Sequence, residues 1–182
     1  MDNLELKFFS KQNPISAVDF EKFYSLLEVS FPKGELRTKE AFKELCQSCE
    51  FYKIFTLFKG CELIALFTVW EFESFSFGDH FAVSPTARCG GIGTRLLCEV
   101  KNKCLSPFIL EVELPDDEMS RRRLNFYLRN GFLKNPQDYL LPPMQEGCEA
   151  IPMHILSYPA LIGESDFDKT KSIIYKEVYG IK

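Results

Sequence analysis

The sequence predicts an α/β fold of the α+β type. In it, a mixed sheet combines an antiparallel meander with one parallel strand–helix–strand unit, and helices lie on both faces. Three observations give this prediction. The hydrophobic period changes from that of helices to that of strands at Phe51. A glycine-rich turn then separates a strand at 76–83 from a helix at 91–104. A short strand, Phe108–Glu113, follows that helix and completes the parallel unit.

Two helices are predicted before the strands begin. Residues 14–30 place their apolar side chains roughly on one helical face. A second helix is expected over Thr38–Cys49, where Thr38 resembles an N-cap residue. The segment between them, Phe31–Arg37, contains a proline and a glycine and is therefore predicted to be a helix-breaking connection.

Three strand-like segments follow, at Phe51–Phe58, Glu62–Phe72 and Ser76–Val83. They are rich in aromatic and β-branched residues, and Lys59-Gly60-Cys61 is expected to form a hairpin turn between the first two. This spacing predicts the antiparallel meander.

The C-terminal part is predicted to alternate between helices and short strands. A helix over 116–130 is closed by Gly131, a residue type suited to a helix C-terminus. Two strand candidates lie within 139–158 and are interrupted by Pro142-Pro143. The tail at 165–182 is expected to be a helix, with acidic residues early and lysines later.

Length, charge and cysteine content exclude several classes of protein. The chain of 182 residues predicts one domain, 1–182. A net charge of −4 argues against nonspecific nucleic-acid binding. No apolar run reaches the roughly 18 to 20 residues of a membrane span, and the start Met1–Glu5 does not resemble a secretory signal.

The seven scattered cysteines predict free thiols in a reducing, cytoplasmic setting. Cys46 and Cys49 have the spacing of a metal or redox pair, but no second pair or histidine cluster accompanies them. No metal site is predicted.

The segment Arg88-Cys89-Gly90-Gly91-Ile92-Gly93 joins a strand to a helix and is the main candidate binding site. A helix N-terminus presents unpaired N–H groups and the positive end of the helix dipole, which favours phosphate oxygens. Glycines let a pyrophosphate approach the backbone closely. On spacing alone, a simple tight turn explains the segment equally well. The dinucleotide fingerprint does not match, because Leu96 stands where its last glycine would be needed. The Walker loop does not match either, because Gly93-Thr94-Arg95 lacks the lysine that should follow the glycine.

This turn resembles the signature of the GNAT superfamily of N-acetyltransferases, Arg/Gln-x-x-Gly-x-Gly/Ala, with Arg88, Gly91 and Gly93 in the signature places. A second segment, Arg123–Phe132, resembles the family's helix-to-strand motif that ends in Tyr-x-x-x-Gly-Phe. The connection that begins at Ser30 is similar to the substrate-side loop of a bacterial branch of the family.

The resemblance implies acetyl-CoA as cosubstrate, no metal, and a cofactor-binding core at about 51–135, followed by a helical tail at about 165–182. Backbone amides of the turn would bind the pyrophosphate, and the strand before it would pair with the pantetheine arm. Asn125 is a substitute for the asparagine that many members carry where Ser120 stands here. The implied cofactor-binding residues are Phe81, Ala82, Val83, Arg88, Cys89, Gly90, Gly91, Ile92, Gly93, Thr94 and Asn125.

Transfer to an amine requires a proton donor for the leaving sulfur and a base for the ammonium. The resemblance implies Tyr127 as the acid, with core packing as its structural alternative. Glu71 is the leading candidate base. The other acidic candidates lie on the same set of strands: Glu73, Asp79, Glu111 and Glu113. Asp79 or His80 is an alternative start of a water chain to the amine, and His80 is assigned no other role.

The expected function is therefore direct transfer of an acetyl group from acetyl-CoA to a primary amine of a small molecule or peptide. The alternatives are a noncatalytic CoA-binding or sensor module of the same fold, and a nucleotide-binding protein that uses the same turn. No nucleic-acid or membrane partner is expected. The late strands and the terminal helix suit a homodimer.

Overall fold

The computed structural model describes residues 4–143 and 149–181. Residues 1–3, 144–148 and 182 lie outside the described residues. The sequence-based predictions for these positions, such as the free thiol at Cys148 and the last residue of the tail helix, lie outside them too.

The chain divides into two compact units. The first comprises Met1–Glu73 and Gly78–Leu105, and the second comprises Ser74–Phe77 and Ser106–Lys182. The single domain predicted over 1–182 remains a prediction.

The first unit contains, in its described part, three complete strands, most of a fourth and three α-helices. They are β1 (Leu4–Phe9), α1 (Ala17–Ser30), α2 (Lys39–Ser48), β2 (Tyr52–Lys59), β3 (Glu62–Glu71), β4 (Ser76–Val83) and α3 (Ile92–Lys103). β1 pairs antiparallel with β2, and β2 with β3, through a hairpin whose turn places Gly60 at φ +60°. The Ser84 amide donates to the Ile64 carbonyl at 2.8 Å, so β4 stays beside β3 up to its end.

The core of the first unit lies between β2 and β3 and the helices that pack on them. α1 and α3 contact β3, and α2 contacts β2. α3 contributes Leu96, Leu97 and Val100, all fully buried, and each such side chain stabilises the fold by about 1.5–3 kcal/mol. Aromatic rings fill most of the remaining space: Phe20, Phe23, Phe42, Phe55, Phe58, Phe67.

The second unit contains the first two residues of β4, four further strands and two α-helices among its described residues. They are β5 (Phe108–Glu113), α4 (Glu118–Arg129), β6 (Leu133–Lys134), β7 (Tyr139–Leu141), β8 (Ile151–Tyr158) and α5 (Glu164–Ile173). β8 is the central strand, since β5, β6 and β7 all pair with it antiparallel. A π-helical turn, Ile174–Val178, continues α5.

The Ser76 amide at the start of β4 donates to the Pro107 carbonyl just before β5. The whole is a mixed sheet, mostly antiparallel with one parallel pair and flanked by helices, which confirms the predicted fold class.

Most predicted elements are present within one to three residues of their expected ends. The predicted N-cap of α2 is confirmed, because the Thr38 hydroxyl accepts from the Ala41 amide at 3.2 Å. Two strands were not predicted. β1 is short and lies at an edge, and β6 has only two residues and exists because β8 offers it a partner. β6 is too short to show a hydrophobic period, whereas β1 does alternate, with Leu4, Leu6 and Phe8 apolar and Glu5 and Lys7 polar.

The N-cap of α2 gives a direct test of this local structure. Thr38→Ala should lower the free energy of unfolding by about 1 kcal/mol, because the Ala41 amide loses its acceptor. Urea unfolding followed by circular dichroism measures the change. Thr38→Ser keeps the acceptor and should stay within about 0.5 kcal/mol of the unmodified protein; equal losses for both substitutions would contradict the capping role.

Candidate active site

The glycine-rich turn leaves β4 and starts α3 by a path that requires two left-handed residues. After Pro85–Ala87, a single 3-10 turn, Cys89 adopts φ +69° and Gly91 adopts φ +71°. Gly91 is also the N-cap residue of α3. A Cβ at Gly91 would meet no atom within 4 Å, so the glycine is needed for its backbone conformation and leaves open space above the turn.

The start of α3 leaves its backbone donors without partners. α1, α2 and α4 begin at Ser16, Thr38 and Asp117, whose side chains accept from the first turn, whereas Gly91 and the N-cap of α5, Gly163, offer no side chain. The Arg95 amide, which donates to Gly91 at 3.0 Å, is the first to be satisfied at α3.

In the described part of the chain, the amides of residues 89 to 94 form no hydrogen bond. The turn itself is largely exposed. Six consecutive N–H groups at a helix N-terminus form a site suited to an anion.

The other predicted cofactor-binding residues of this unit lie directly beside the turn. Arg88 folds back and its Nε donates to the Val83 carbonyl at 3.2 Å, which ties the end of the turn to the end of β4. Ala82 is buried, and Phe81 and Val83 are half-buried. The Phe81 ring packs on Phe67 at 4.8 Å between centroids.

Asp79, a candidate for the start of a proton path, is instead the centre of a buried charge network. Its carboxylate, 8% exposed, accepts from Arg37 Nη1 at 3.1 Å and from Trp70 Nε1 at 3.0 Å. Burial by itself raises the pKa of Asp79, but the charges of His80 and Arg37 and the hydrogen bonds outweigh it and hold the pKa well below 3.8. Asp79 therefore stays ionised and holds cations in place.

His80 completes this network from the other side. Its Nδ1 lies 3.0 Å from Asp79 Oδ1, and its Nε2 lies 3.4 Å from the Glu35 carbonyl. The ring is 5% exposed and meets Phe31 and Phe42 edge to face. Asp79 and His80, both on β4, thus attach this strand to the segment that connects α1 with α2. The sequence placed this connection on the substrate side by resemblance, but it gave no sign of the ion pair.

Glu71, the leading candidate base, forms an ion pair with Lys53 at the end of β3. Its side chain is 14% exposed, and its amide donates to the Phe51 carbonyl at 2.8 Å. Burial lowers the pKa of Lys53. The carboxylate thus already has a cationic partner, with which any amine would compete.

Tyr127, the predicted acid, lies in the second unit on α4 and is 6% exposed. Its ring contacts Phe126 at 5.2 Å and Phe132 at 5.6 Å between centroids, both nearly edge to face. Burial raises its pKa above the ordinary value of a phenol, 10.0, so the hydroxyl keeps its proton throughout the physiological range. The packing predicted as the structural alternative is therefore present, together with a hydroxyl that can donate.

The remaining predicted residues of α4 have separate surroundings. Asn125 is exposed. Ser120, which stands where many family members carry asparagine, forms a capping box with Asp117 at the start of α4. The serine at this place therefore serves the helix start. Arg123 pairs with Glu113.

Glu111 was one of several candidate bases and is the centre of a second network in the same unit. Its carboxylate accepts from Tyr139 and from Tyr179, the latter at 2.6 Å. The sequence gave a weak signal for this network in Tyr175 and Tyr179, which are four residues apart in the predicted tail helix.

Two general properties of the described residues bear on function. They contain no group of three or more histidine, cysteine, aspartate or glutamate side chains arranged to hold a metal ion. None of the helices in that part of the chain has both the length and the apolar character that a membrane crossing requires.

Comparison with known proteins identifies the family. No protein-family model matches the chain. A solved structure from Bacteroides thetaiotaomicron, provisionally named an acetyltransferase of the GNAT family, is 34% identical and superposes with a TM-score of 0.85, covering 97% of this chain and 99% of that one. Since the identity extends over nearly all of both chains, this chain belongs to the GNAT family.

One further relative agrees with this assignment, and a more distant solved structure shares the fold alone. A Bacillus subtilis (strain 168) protein, provisionally named acetyltransferase YjbC, is 36% identical over 112 residues, which cover 60% of this chain and 56% of that protein. Arabidopsis thaliana NAA60, solved in complex with a bisubstrate analogue, shares the fold at 15% identity with a TM-score of 0.64, covering 85% of this chain and 97% of that one.

The buried Asp79 network predicts a pH-dependent stability. Asp79→Asn should lower the free energy of unfolding at pH 7 by about 3–5 kcal/mol, because it removes one charge of a buried ion pair with Arg37. A carboxyl whose pKa is lower in the folded state stabilises the fold above its unfolded pKa, about 3.9, and loses that contribution as the pH falls towards the folded pKa. The difference between the two proteins should therefore shrink below about pH 4.

Urea unfolding at pH 7 and pH 3 measures both effects. Asp138→Asn, which changes an exposed carboxylate, serves as the control and should shift stability by less than about 0.5 kcal/mol. A difference between Asp79→Asn and the unmodified protein that is constant across this pH range would show that Asp79 does not carry the charge assigned to it.

Proposed function

We propose that the protein transfers an acetyl group from acetyl-CoA directly to a primary amine of a small molecule or peptide. The observation that carries this proposal is the row of six amides without hydrogen bonds, from Cys89 to Thr94, at the exposed start of α3. Such a row matches the oxygens of a diphosphate, and the open space at Gly91 admits one. The GNAT family of the chain favours CoA among diphosphates.

The residues that would hold the cosubstrate follow from this site. The amides of 89 to 94 would bind the pyrophosphate, with Gly90, Gly91, Ile92 and Gly93 forming the turn. The backbone at Phe81–Val83 would pair with the pantetheine arm, and Arg88 holds the turn against β4. Asn125, exposed on α4, is the proposed side-chain contact of the second unit. Acetyl-CoA supplies the thioester whose acetyl group is transferred.

Tyr127 is proposed as the donor to the departing sulfur. A thiol has a pKa of roughly 8.5, well below that of the buried phenol. Complete proton transfer from Tyr127 to the thiolate is therefore uphill, and its contribution is a hydrogen bond that stabilises developing negative charge. The proton that the amine loses neutralises the thiolate at the end of the reaction.

Glu71 is proposed as the base, acting once its ion pair with Lys53 opens. The ordinary pKa of an alkylammonium, about 10.4, leaves roughly one amine in a thousand neutral at pH 7, so a base is required. Asp79 is less suited to this role because its low pKa keeps it from accepting a proton.

The setting proposed for this reaction is the cytoplasm. All six cysteines within the described residues are free thiols, which is typical of proteins in a reducing compartment.

Two of these thiols are buried or half-buried. Burial raises the pKa of Cys46 to about 12 and of Cys104 to about 11, which keeps both thiols protonated and unreactive.

The proposal is tested by following thiol release from acetyl-CoA with a panel of primary amines. We expect amine-dependent release above the rate without amine, together with calorimetric binding of CoA. Tight CoA binding without turnover on a broad panel would favour the sensor alternative. Binding of ATP or NAD without binding of CoA would exclude the proposed function.

The role of Tyr127 predicts a specific kinetic change. Tyr127→Phe should lower kcat by about 10²–10³-fold, because the hydrogen bond to the developing thiolate is lost. The Kd for CoA should change less than about threefold, since the phenyl ring keeps the packing against Phe126 and Phe132. Single-turnover kinetics measure the first quantity and calorimetry the second.

Tyr24→Phe on α1 is the matched control and should leave both quantities unchanged. An unchanged single-turnover rate in Tyr127→Phe would refute the assignment. A matching loss of CoA affinity would show that the residue acts by packing.

A further inference from the structure

Three tyrosines of the second unit surround one carboxylate, and this group is here called the tyrosine cluster: Tyr139, Tyr175 and Tyr179 around Glu111. The Tyr139 hydroxyl donates to Glu111 Oε1, and the Tyr179 hydroxyl donates to Glu111 Oε2 at 2.6 Å. Both oxygens of one glutamate are therefore held by phenols from two different segments. Glu111 lies on β5, and its residue is half-buried.

The two hydrogen bonds of this arrangement favour the negatively charged form of Glu111. Hydrogen bonds from two donors stabilise the ionised form of a carboxylate. Burial, and then the charge of Glu111, raise the pKa of Tyr139 well above that of an ordinary phenol, so the donor stays protonated. Burial and Glu111 also raise the pKa of Tyr175. An ionised carboxylate held in this way attracts a cation.

The rings of the tyrosine cluster already face an alkylammonium group. Tyr139 and Tyr175 meet at 5.7 Å between centroids with planes 69° apart. Lys171 Nζ lies 5.3 Å from the Tyr175 centroid and 6.0 Å from that of Tyr139. These distances fall within the range of cation–π attraction. Lys171 is half-exposed, so its side chain can leave the rings at little cost.

The backbone beneath the tyrosine cluster is unusual. Tyr175 lies within the π-helical turn Ile174–Val178, and the Tyr179 amide donates to the Ile174 carbonyl at 3.3 Å, five residues back. π-helical turns are rare and are frequent at functional sites. Here the turn lets Tyr175 donate to the Leu140 carbonyl while Tyr179 donates to Glu111.

We propose that the tyrosine cluster binds the ammonium group of a cationic amine, such as a diamine or a basic side chain, and that Lys171 occupies the ring faces when no such ligand is bound. The charge of Glu111 and the faces of Tyr139 and Tyr175 provide the attraction. The part of the proposal that makes this cationic amine the acetyl acceptor rests on the proposed function. The part that concerns binding of the amine can be tested without acetyl-CoA.

The purely structural alternative is that Glu111 only fastens the C-terminal helix to β5. Glu111→Gln distinguishes the two, since glutamine keeps the shape and can still bond to both phenols but carries no charge. A fastening role predicts a small effect on ligand binding, and a recognition role predicts a large one. Glu113→Gln is the matched control, because Glu113 lies on the same face of β5 and pairs with Arg123.

The experiment is isothermal titration calorimetry of the full chain at low salt with 1,6-diaminohexane, and with 1,6-hexanediol as the uncharged probe. We expect binding of the diamine and none of the diol. Glu111→Gln should weaken the diamine Kd by roughly tenfold, and Glu113→Gln by less than about twofold. Lys171→Met should tighten the diamine Kd by about threefold, because it removes the competing ammonium and leaves the rings in place.

Equal affinity for the diamine and the diol, or an unchanged diamine Kd in both Glu111→Gln and Lys171→Met, would overturn the proposal. Thermal unfolding shows whether Glu111→Gln is folded. If it is not, the diamine Kd of Lys171→Met alone tests the proposal. If diamine binding depends on Glu111 but no thiol is released from acetyl-CoA, the proposed function is refuted and the proposed binding site is supported. If thiol is released and the KM for the diamine does not change in Glu111→Gln, the proposed function is supported and the proposed binding site is refuted.

Discussion

The first unit depends on one physical constraint, the burial of the Asp79 carboxylate. Moving a carboxylate out of water costs several kcal/mol unless donors replace the water. Here the donors come from three places: Arg37 after α1, Trp70 on β3 and His80 on β4 itself. Because each donor belongs to a different segment, satisfying one charge fixes the position of all three. β4, the strand that leads into the glycine-rich turn, is thereby tied through its side chains to β3 and to the connection between α1 and α2.

The turn after β4 shows the reverse arrangement. Around Asp79, Arg37 and Trp70 both donate to one carboxylate, whereas at the start of α3 six consecutive amides form no hydrogen bond within the described residues. Cys89 and Gly91 both adopt left-handed backbone conformations, which direct the chain into the helix without a capping side chain. Donors that are already free of other hydrogen bonds would need little reordering to bind an anion there.

The acidic residues illustrate what could not be predicted. Glu71, Asp79 and Glu111 are all strand carboxylates in the sequence, and nothing in their local pattern distinguishes a base from a counterion. The partners that distinguish them are far along the chain: Asp79 meets Arg37 from 42 residues earlier, and Glu111 meets Tyr179 from 68 residues later. Local periodicity contains no information about such pairs. The two-residue strand β6 was missed for a related reason, since it is stabilised by its partner strand β8 rather than by its own pattern.

The sequence by itself determined the fold class, nearly all of the helices, the long strands and the glycine-rich turn, because periodicity, caps and glycines act within a few residues of where they stand. It also determined the family, through two motifs spaced as that family requires. Only the tertiary structure decided what each charged side chain does. In the folded chain, Asp79 and His80 bind the connection between α1 and α2, Glu71 pairs with Lys53, and Glu111 accepts from Tyr139 and Tyr179. The physical reason is that the energy of a charge depends on its solvent exposure and its neighbours, and both are properties of the folded chain rather than of the residue.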